Sequence, residues 1–443
     1  MRKWGWRLLA ASAVLTMVAA ACSNSSNNNA SGGGGGNAAD CNADQFGCVT
    51  YKSGEPIKLG TLLAISGDTA SLGLDSQHGV ALAIDYLDGS FDGTGGQIDG
   101  HDITLVNEDD GCSAEGGQAG ATKLVADPQI VGVIGTSCSS AALGVADKIT
   151  SDKGIVMISP SNTNPNLTAE GTHQPFYLRT AHNDKIQGAI VADFAIQKLG
   201  AKTAATIHDE SPYADALAAV FRDNFQQQGG TIVPNGDQAV QSTDTDLKPL
   251  LTSIGQDKPD VLYFPDFNPV CALISKQSAG VSGLENTALI GSDGCLATDY
   301  LKIAGSAADG DYASSPDLSV FANGDFYKNQ FIPAYKDQFG GAPTSVFHAH
   351  AFDAANILFE AIKKVAVQGS DGSLQIPRTA LKDAVFATSG YQGMTGTITC
   401  VPLGDCATDV TIAVFKAPDW PVEGGNPDAK PVFTETKTLQ DVS

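Results

Sequence analysis

IKLGTLLA (57–64), HGVALAIDYLD (78–88), ITLVNED (103–109), GGQAGATKLVAD (116–127), IVGVIG (130–135) and GIVMIS (154–159) follow one another along the chain. Short apolar runs of strand length alternate with longer amphipathic runs of helix length. Strands separated by helices of ten or more residues require parallel pairing, with the helices covering both faces of the sheet. The same rhythm returns in KIQGAIVADFAIQKLG (185–200), TAATIHDE (203–210), YADALAAVFRDNFQQQGG (213–230), DLKPLLTSIGQ (246–256), DVLYFPDF (260–267) and TALIGSDG (287–294). The fold class is α/β, with two doubly wound parallel-sheet lobes.

The rhythm pauses at YLRTAHND (177–184) and at DYASSPDL (311–318), two expected crossings between lobes. FYKNQFIPAYKDQFG (326–340) and AHAFDAANILFEAIKKV (349–365) would then return to the first lobe. A third crossing is expected near Cys406, with VTIAVFKA (410–417) finishing on the second lobe. This places residues 55–180 and 312–408 in lobe 1, and 181–311 and 409–420 in lobe 2. Residues 421–443 are left as a C-terminal tail. Ligands of open α/β sheets sit beyond the carboxyl ends of the strands, so two such sheets face each other across a cleft that a hinge can close.

The N-terminus has export grammar. Arg2, Lys3 and Arg7 precede an apolar stretch from Leu8 to Ala21, which is followed at once by Cys22. At roughly 14 residues the stretch is shorter than the about 20 a bilayer core demands, so residues 1–21 read as a cleaved signal peptide. A cysteine at that position resembles the lipid-accepting residue of bacterial lipoproteins, although Ala19 stands where a larger aliphatic residue is usual. Residues 22–54 are expected to be a lipid-anchored tether. SNSSNNNASGGGGGNAAD (23–40) holds no apolar residue larger than alanine and cannot bury a core. A chain of that composition reaches about 20–25 Å.

Charge narrows the partners. Twenty-six basic and 49 acidic residues give −23, and loss of Arg2, Lys3 and Arg7 with the leader takes this to −26. Such a surface repels nucleic acid and anionic lipid headgroups. Of nine cysteines, eight remain beyond Cys22, an even number that suits disulfides in an exported chain. Eight cysteines permit 105 pairings; proximity favours Cys41–Cys48, Cys112–Cys138, Cys271–Cys295 and Cys400–Cys406. None is spaced Cys-x-x-Cys, which removes support for zinc-ribbon or thioredoxin-like readings.

GTSCSSA (135–141) carries the densest chemistry. A strand ends at Gly135, and Ser139 and Ser140 open a helix whose hydroxyls and exposed amides suit a carboxylate, or simply cap the helix. Ser161 and Thr163, after the strand GIVMIS, stand at an equivalent level. Asp88, Ser90, Asp92 and Asp99 approximate a calcium loop, but a strand rather than a helix follows, and a Gly-rich turn explains the spacing equally well. No metal or cofactor is expected. His348 and His350, and His208 with Asp209 and Glu210, lack a third catalytic partner, so no enzyme is expected either.

In order along the chain, IKLGTLLAISGDTASLG (57–73), NEDDGCSAEGG (107–117), GTSCSSA (135–141), ISPSNTNP (158–165), HDESPYADAL (208–217), DVLYFPDFNP (260–269) and LIGSDG (289–294) resemble the motifs of the branched-chain amino acid (leucine/isoleucine/valine) substrate-binding proteins of ABC transporters. Those have the type I periplasmic-binding-protein fold. The resemblance covers residues 55 to 417. It implies a Cys112–Cys138 disulfide and a ligand carboxylate held by Ser139, Ser161 and Thr163. It also implies that Tyr213 closes over the ligand and that Asp293 receives its ammonium, where the family has a glutamate. Leu72 stands where the branched-chain binders often carry tyrosine, and Phe267 keeps a ring without a hydroxyl, so the side-chain pocket is less polar. The expected partners are an amino acid or similar small solute and ABC permease subunits, with membrane contact through the lipid anchor only. The protein is expected to act as a monomer on the extracytoplasmic side. A ligand-sensing receptor of the same fold, or a binder of amides or urea-like solutes, is the alternative.

Overall fold

The computed structural model describes residues 41–317, 324–421 and 429–442. The expected signal peptide, Cys22 and the expected tether as far as Asp40 lie outside the described residues.

The first lobe is built on a six-stranded sheet. In spatial order its strands are Gln97–Ile98, His101–Asp109, Ile57–Leu63, Ile130–Gly135, Val156–Ser159 and Tyr177–Arg179. All neighbours pair in parallel except the short Gln97–Ile98, which runs against His101–Asp109. Every residue of Ile130–Gly135 is buried, as expected of a parallel strand covered on both faces. Helix Ala70–Asp85 covers one face and packs on His348–Val365. Two glycines permit the approach. A Cβ on Gly73 would stand 1.9 Å from the Ala64 carbonyl oxygen, and one on Gly79 would stand 2.2 Å from that of His348.

The second lobe has seven strands in the order Phe433–Thr438, Asp409–Lys416, Tyr312–Pro316, Ala288–Gly291, Val261–Phe264, Thr203–His208 and Thr231–Ala239. The last five pair in parallel, and the first two add antiparallel at one edge. Three crossings join the lobes: after Arg179, after Pro316, and between Asp405 and Asp409. Arg179 and Asp405 bridge two of these segments.

Three boundaries differ from the sequence reading. Cys48–Tyr51, placed in the 22–54 tether, is a strand pairing with Leu374–Pro377, and buried Val49 and Tyr51 anchor it. Tyr312–Pro316, placed in lobe 1, belongs to the lobe 2 sheet, so the second crossing follows Pro316 rather than Asp311. The 421–443 tail contains the edge strand Phe433–Thr438, which pairs with Asp409–Lys416 over six positions. The helix expected to open at Ser139 and Ser140 is interrupted at Leu143 and Gly144, where Gly144 takes φ +70°.

Four disulfides join Cys41–Cys48, Cys112–Cys138, Cys271–Cys295 and Cys400–Cys406. In the 88–99 loop, Asp88 Oδ1 accepts from the Ser90 amide and hydroxyl, and Asp92 Oδ1 from those of Thr94. Turn formation therefore uses both carboxylates. Among the described residues no helix is long and apolar enough to cross a membrane.

Candidate functional site

The first-lobe wall begins where Ile130–Gly135 ends. A Cβ on Gly135 would stand 2.2 Å from the Leu62 carbonyl oxygen, so only glycine lets the chain turn against its neighbouring strand there. The following turn is held from several sides. Ser137 N donates to Asp110 Oδ2 at 2.6 Å, Ser159 Oγ to the Thr136 carbonyl at 2.7 Å, and Ser161 Oγ to the Ser137 carbonyl at 2.9 Å. The Cys112–Cys138 disulfide fixes the residue before Ser139. Burial pushes the Asp110 carboxyl up to about 7.

Ser139, Ser161 and Thr163 are brought together on this wall and are all buried. Ser139 Oγ accepts from the Asn164 amide at 3.3 Å. The Ser161 hydroxyl is committed to Ser137, which leaves mainly its backbone for a ligand. The Thr163 hydroxyl is fully buried and makes no hydrogen bond of good geometry with the described protein. Arg179 underpins the wall: its Nη1 donates to the carbonyls of Asn162 (3.2 Å) and Asn164 (2.8 Å), on either side of Thr163. Its Nε donates to Asp405 Oδ1 at 2.6 Å.

The second-lobe wall carries Tyr213 and Asp293. Tyr213 lies in the first turn of helix Pro212–Gln227, capped by Ser211 Oγ accepting from the Ala214 amide. Its hydroxyl donates to Asp293 Oδ1 at 2.7 Å and lies 2.7 Å from Ser292 Oγ. Asp293 Oδ1 also accepts from Gln187 Nε2 at 3.0 Å. The Phe267 ring packs on Tyr213 with centroids 5.0 Å apart. The Cys271–Cys295 disulfide ties the helix that follows Phe267 to the turn that carries Asp293. Leu72 is buried in the large apolar cluster against which Phe267 also packs.

The two walls meet. Asn164 Nδ2 donates to the Pro212 carbonyl across the lobe boundary. At the rim a cavity of about 460 Å³ is lined from the first lobe by Ser66, Thr69 and Ser140 and from the second by Ser211, Phe267 and Asn268.

Several residues of this region escaped the sequence reading. Asp184 is fully buried, and both of its carboxylate oxygens lack a hydrogen bond of good geometry. Burial first, and then the nearby Asp293 charge, push its carboxyl well above the usual range. His182 and Gln187 complete the group. All three, with Arg179, fall in or beside YLRTAHND, read only as a crossing. The usable signal was four polar side chains (Arg179, His182, Asp184 and Gln187) within nine residues at the end of a buried strand.

Two hydroxyl-bearing loops at strand ends thus face a tyrosine and a carboxylate across an interlobe cleft. Over residues 56–412 the chain matches the family model described as periplasmic binding protein. The chain belongs to that periplasmic binding protein family. The family is one of solute binders rather than enzymes. The chain is 29% identical over 334 residues to the Leu/Ile/Val-binding protein BraC3 of Rhizobium johnstonii, covering 74% of this chain and 83% of that one. It is 30% identical to the Leu/Ile/Val-binding protein of Escherichia coli K12 over 59% of this chain and 68% of that one. The crystal structure of the leucine-binding protein LivK from Thermotoga maritima has the same fold, with a TM-score of 0.72, 23% identity, and coverage of 87% of this chain and 99% of that one. The periplasmic binding protein fold accounts for the two sheets, the three crossings and the placement of the polar group between them.

Proposed function

We propose that the protein captures a zwitterionic amino acid with an apolar side chain and delivers it to an ABC permease. The observation that carries the reading is the division of charge preference across the cleft. Ser139 and Thr163, with the amides around them, offer donors for a carboxylate on one wall. Asp293 on the other offers an acceptor for an ammonium, steadied by Tyr213 and Gln187. Charge-assisted hydrogen bonds at both ends fix a ligand's orientation more firmly than neutral ones. Phe267 and Leu72 then supply apolar surface for the side chain. The Leu/Ile/Val-binding relatives support the same ligand class.

In this reading the protein is a monomer anchored through Cys22 on the extracytoplasmic side, with the tether giving the lobes reach to a permease. Calorimetry on the full mature chain lacking its lipid, against L-amino acids, their amides and urea-like solutes, tests the reading. An amino acid binding well below 1 mM supports it. Amides or ureas binding while no amino acid does would replace the amino-acid class with theirs.

A further inference from the structure

At the hinge side of the cleft, four side chains form a chain of contacts whose hydrogen directions are determined by elimination. Gln187 Nε2 reaches Asp293 Oδ1 at 3.0 Å and Ser314 Oγ at 2.9 Å. An ionised carboxylate only accepts, so the amide nitrogen must point toward Asp293 and the amide oxygen away from it. That oxygen lies against His182 Nε2. His182 Nε2 must therefore carry the hydrogen, and a neutral imidazole then has a bare Nδ1. Nδ1 is buried and has no hydrogen-bond partner in the described protein. His182 itself lies on the first crossing between the lobes, and it lines a cavity of about 220 Å³ among the crossing segments.

We propose that His182 is a positioning residue for the Asp293 carboxylate, acting through Gln187, and that a proton taken up at its Nδ1 weakens the cleft's hold on a ligand ammonium. The Gln187 amide is a relay with one useful orientation, and the His182 Nε2–H keeps it from turning over. A proton at Nδ1 leaves that hydrogen bond intact but makes the ring a cation two hydrogen bonds from Asp293. That cation and the ligand ammonium then compete for the same carboxylate.

The groups facing His182 set the sign. Burial dominates and holds the imidazole below its usual 6.5; the Asp293 charge and the hydrogen bond to Gln187 favour the charged ring, and the Arg179 guanidinium on the preceding strand opposes it. From helix His348–Val365, His350 shares the cavity, but burial and its two histidine neighbours push it down to about 3, so it stays neutral. Asp317 and Asp409 line the cavity from the second and third crossings. Ligand binding would expel the His182 proton, so affinity would fall as pH drops through the midpoint, by up to about tenfold per pH unit. The positioning and the proton uptake stand on their own; the effect on a ligand rests on the amino-acid reading above.

The test uses the full mature chain without lipid, labelled with ¹⁵N-histidine and free of ligand. Ring spectra should show His182 as the Nε2–H tautomer, with a titration midpoint below the ordinary histidine value. Asp293→Asn should move that midpoint lower. An Nδ1–H tautomer, a midpoint at or above the ordinary histidine value, or a midpoint indifferent to Asp293→Asn would overturn the proposal. In a second arm, the Kd for L-leucine is followed from about pH 7.5 to about pH 4.5 in the wild type and in His182→Gln, which keeps a donor without a titrating ring. The wild type should weaken toward acid and the variant should lose that slope; parallel slopes would refute the coupling. If L-leucine binds neither protein at any pH, the ligand reading is at fault, and the ring spectra still decide the role of His182.

Discussion

Replacing Arg179 by methionine should damage both stability and the ligand wall, because this guanidinium is buried and hydrogen-bonded through all three of its nitrogens. Arg179 is 0% exposed and its partner Asp405 about 5%, with Nε to Oδ1 at 2.6 Å. Further donations go to Asn162 O, Asn164 O and Thr168 Oγ1. Methionine fills much of the volume but leaves the Asp405 charge without its cation. Breaking a buried pair from one side costs about 3–5 kcal/mol. For lobes of roughly 200 residues, each kcal/mol lowers the melting temperature by about 2–4 °C, so a fall of about 6–20 °C is expected. Calorimetric melting of the ligand-free protein reads it. Arg179→Met/Asp405→Leu should recover more than half of the loss, since removing both partners strands no charge. Arg179→Met should also weaken ligand binding, because the two carbonyls it holds flank Thr163. A melting temperature within about 2 °C of wild type, or a double variant no better than the single, would refute the reasoning.

Asp293→Asn keeps an oxygen for Gln187 but removes the charge facing the ammonium; a charge-assisted hydrogen bond of about 1.5–3 kcal/mol predicts a loss of about 10- to 150-fold in affinity by calorimetry, with the melting temperature little changed. Ser139→Ala/Thr163→Ala should cost about 30-fold or more, and affinity equal to wild type would dismiss the carboxylate wall. Melting temperature should fall as pH rises from about 5 to 8. Burial raises the carboxyls of Asp110 to about 7 and of Asp147, Asp311 and Asp353 to about 6, all above the unfolded value of 3.8. Their contribution to stability is complete below about pH 4 and lost as pH climbs through those values. The repulsion of a −23 chain acts in the same direction. Greater stability at pH 8 than at pH 5 would contradict this.

How much of this was legible in the sequence follows from which physics is local. IVGVIG and VLYF announce themselves because a strand covered on both faces must be apolar along its length. The serine loops were legible because a glycine-terminated strand followed by hydroxyl residues marks a strand-to-helix turn. Tyr312–Pro316 was hidden: YASSP has weak strand propensity, and its place is set by Ala288–Gly291 and Asp409–Lys416 pairing on either side. Phe433–Thr438 was hidden for a related reason, since an edge strand with one half-buried face carries little apolar signal. Arg179 and Asp405 are 226 positions apart, and nothing local marks them as partners. Asp184 and Gln187 were visible as polar residues, but their role depends on Asp293, more than 100 positions away.

The central claim is that one wall of the cleft holds a carboxylate while the other holds an ammonium. Calorimetric titration of the tightest-binding amino acid beside its des-amino and its amide analogues measures both contacts in one protein. The account predicts that each analogue binds at least about tenfold more weakly than the parent, and that Asp293→Asn erases the penalty for losing the amine while sparing the penalty for losing the carboxylate. Equal affinity for parent and des-amino analogue in the wild type would contradict it.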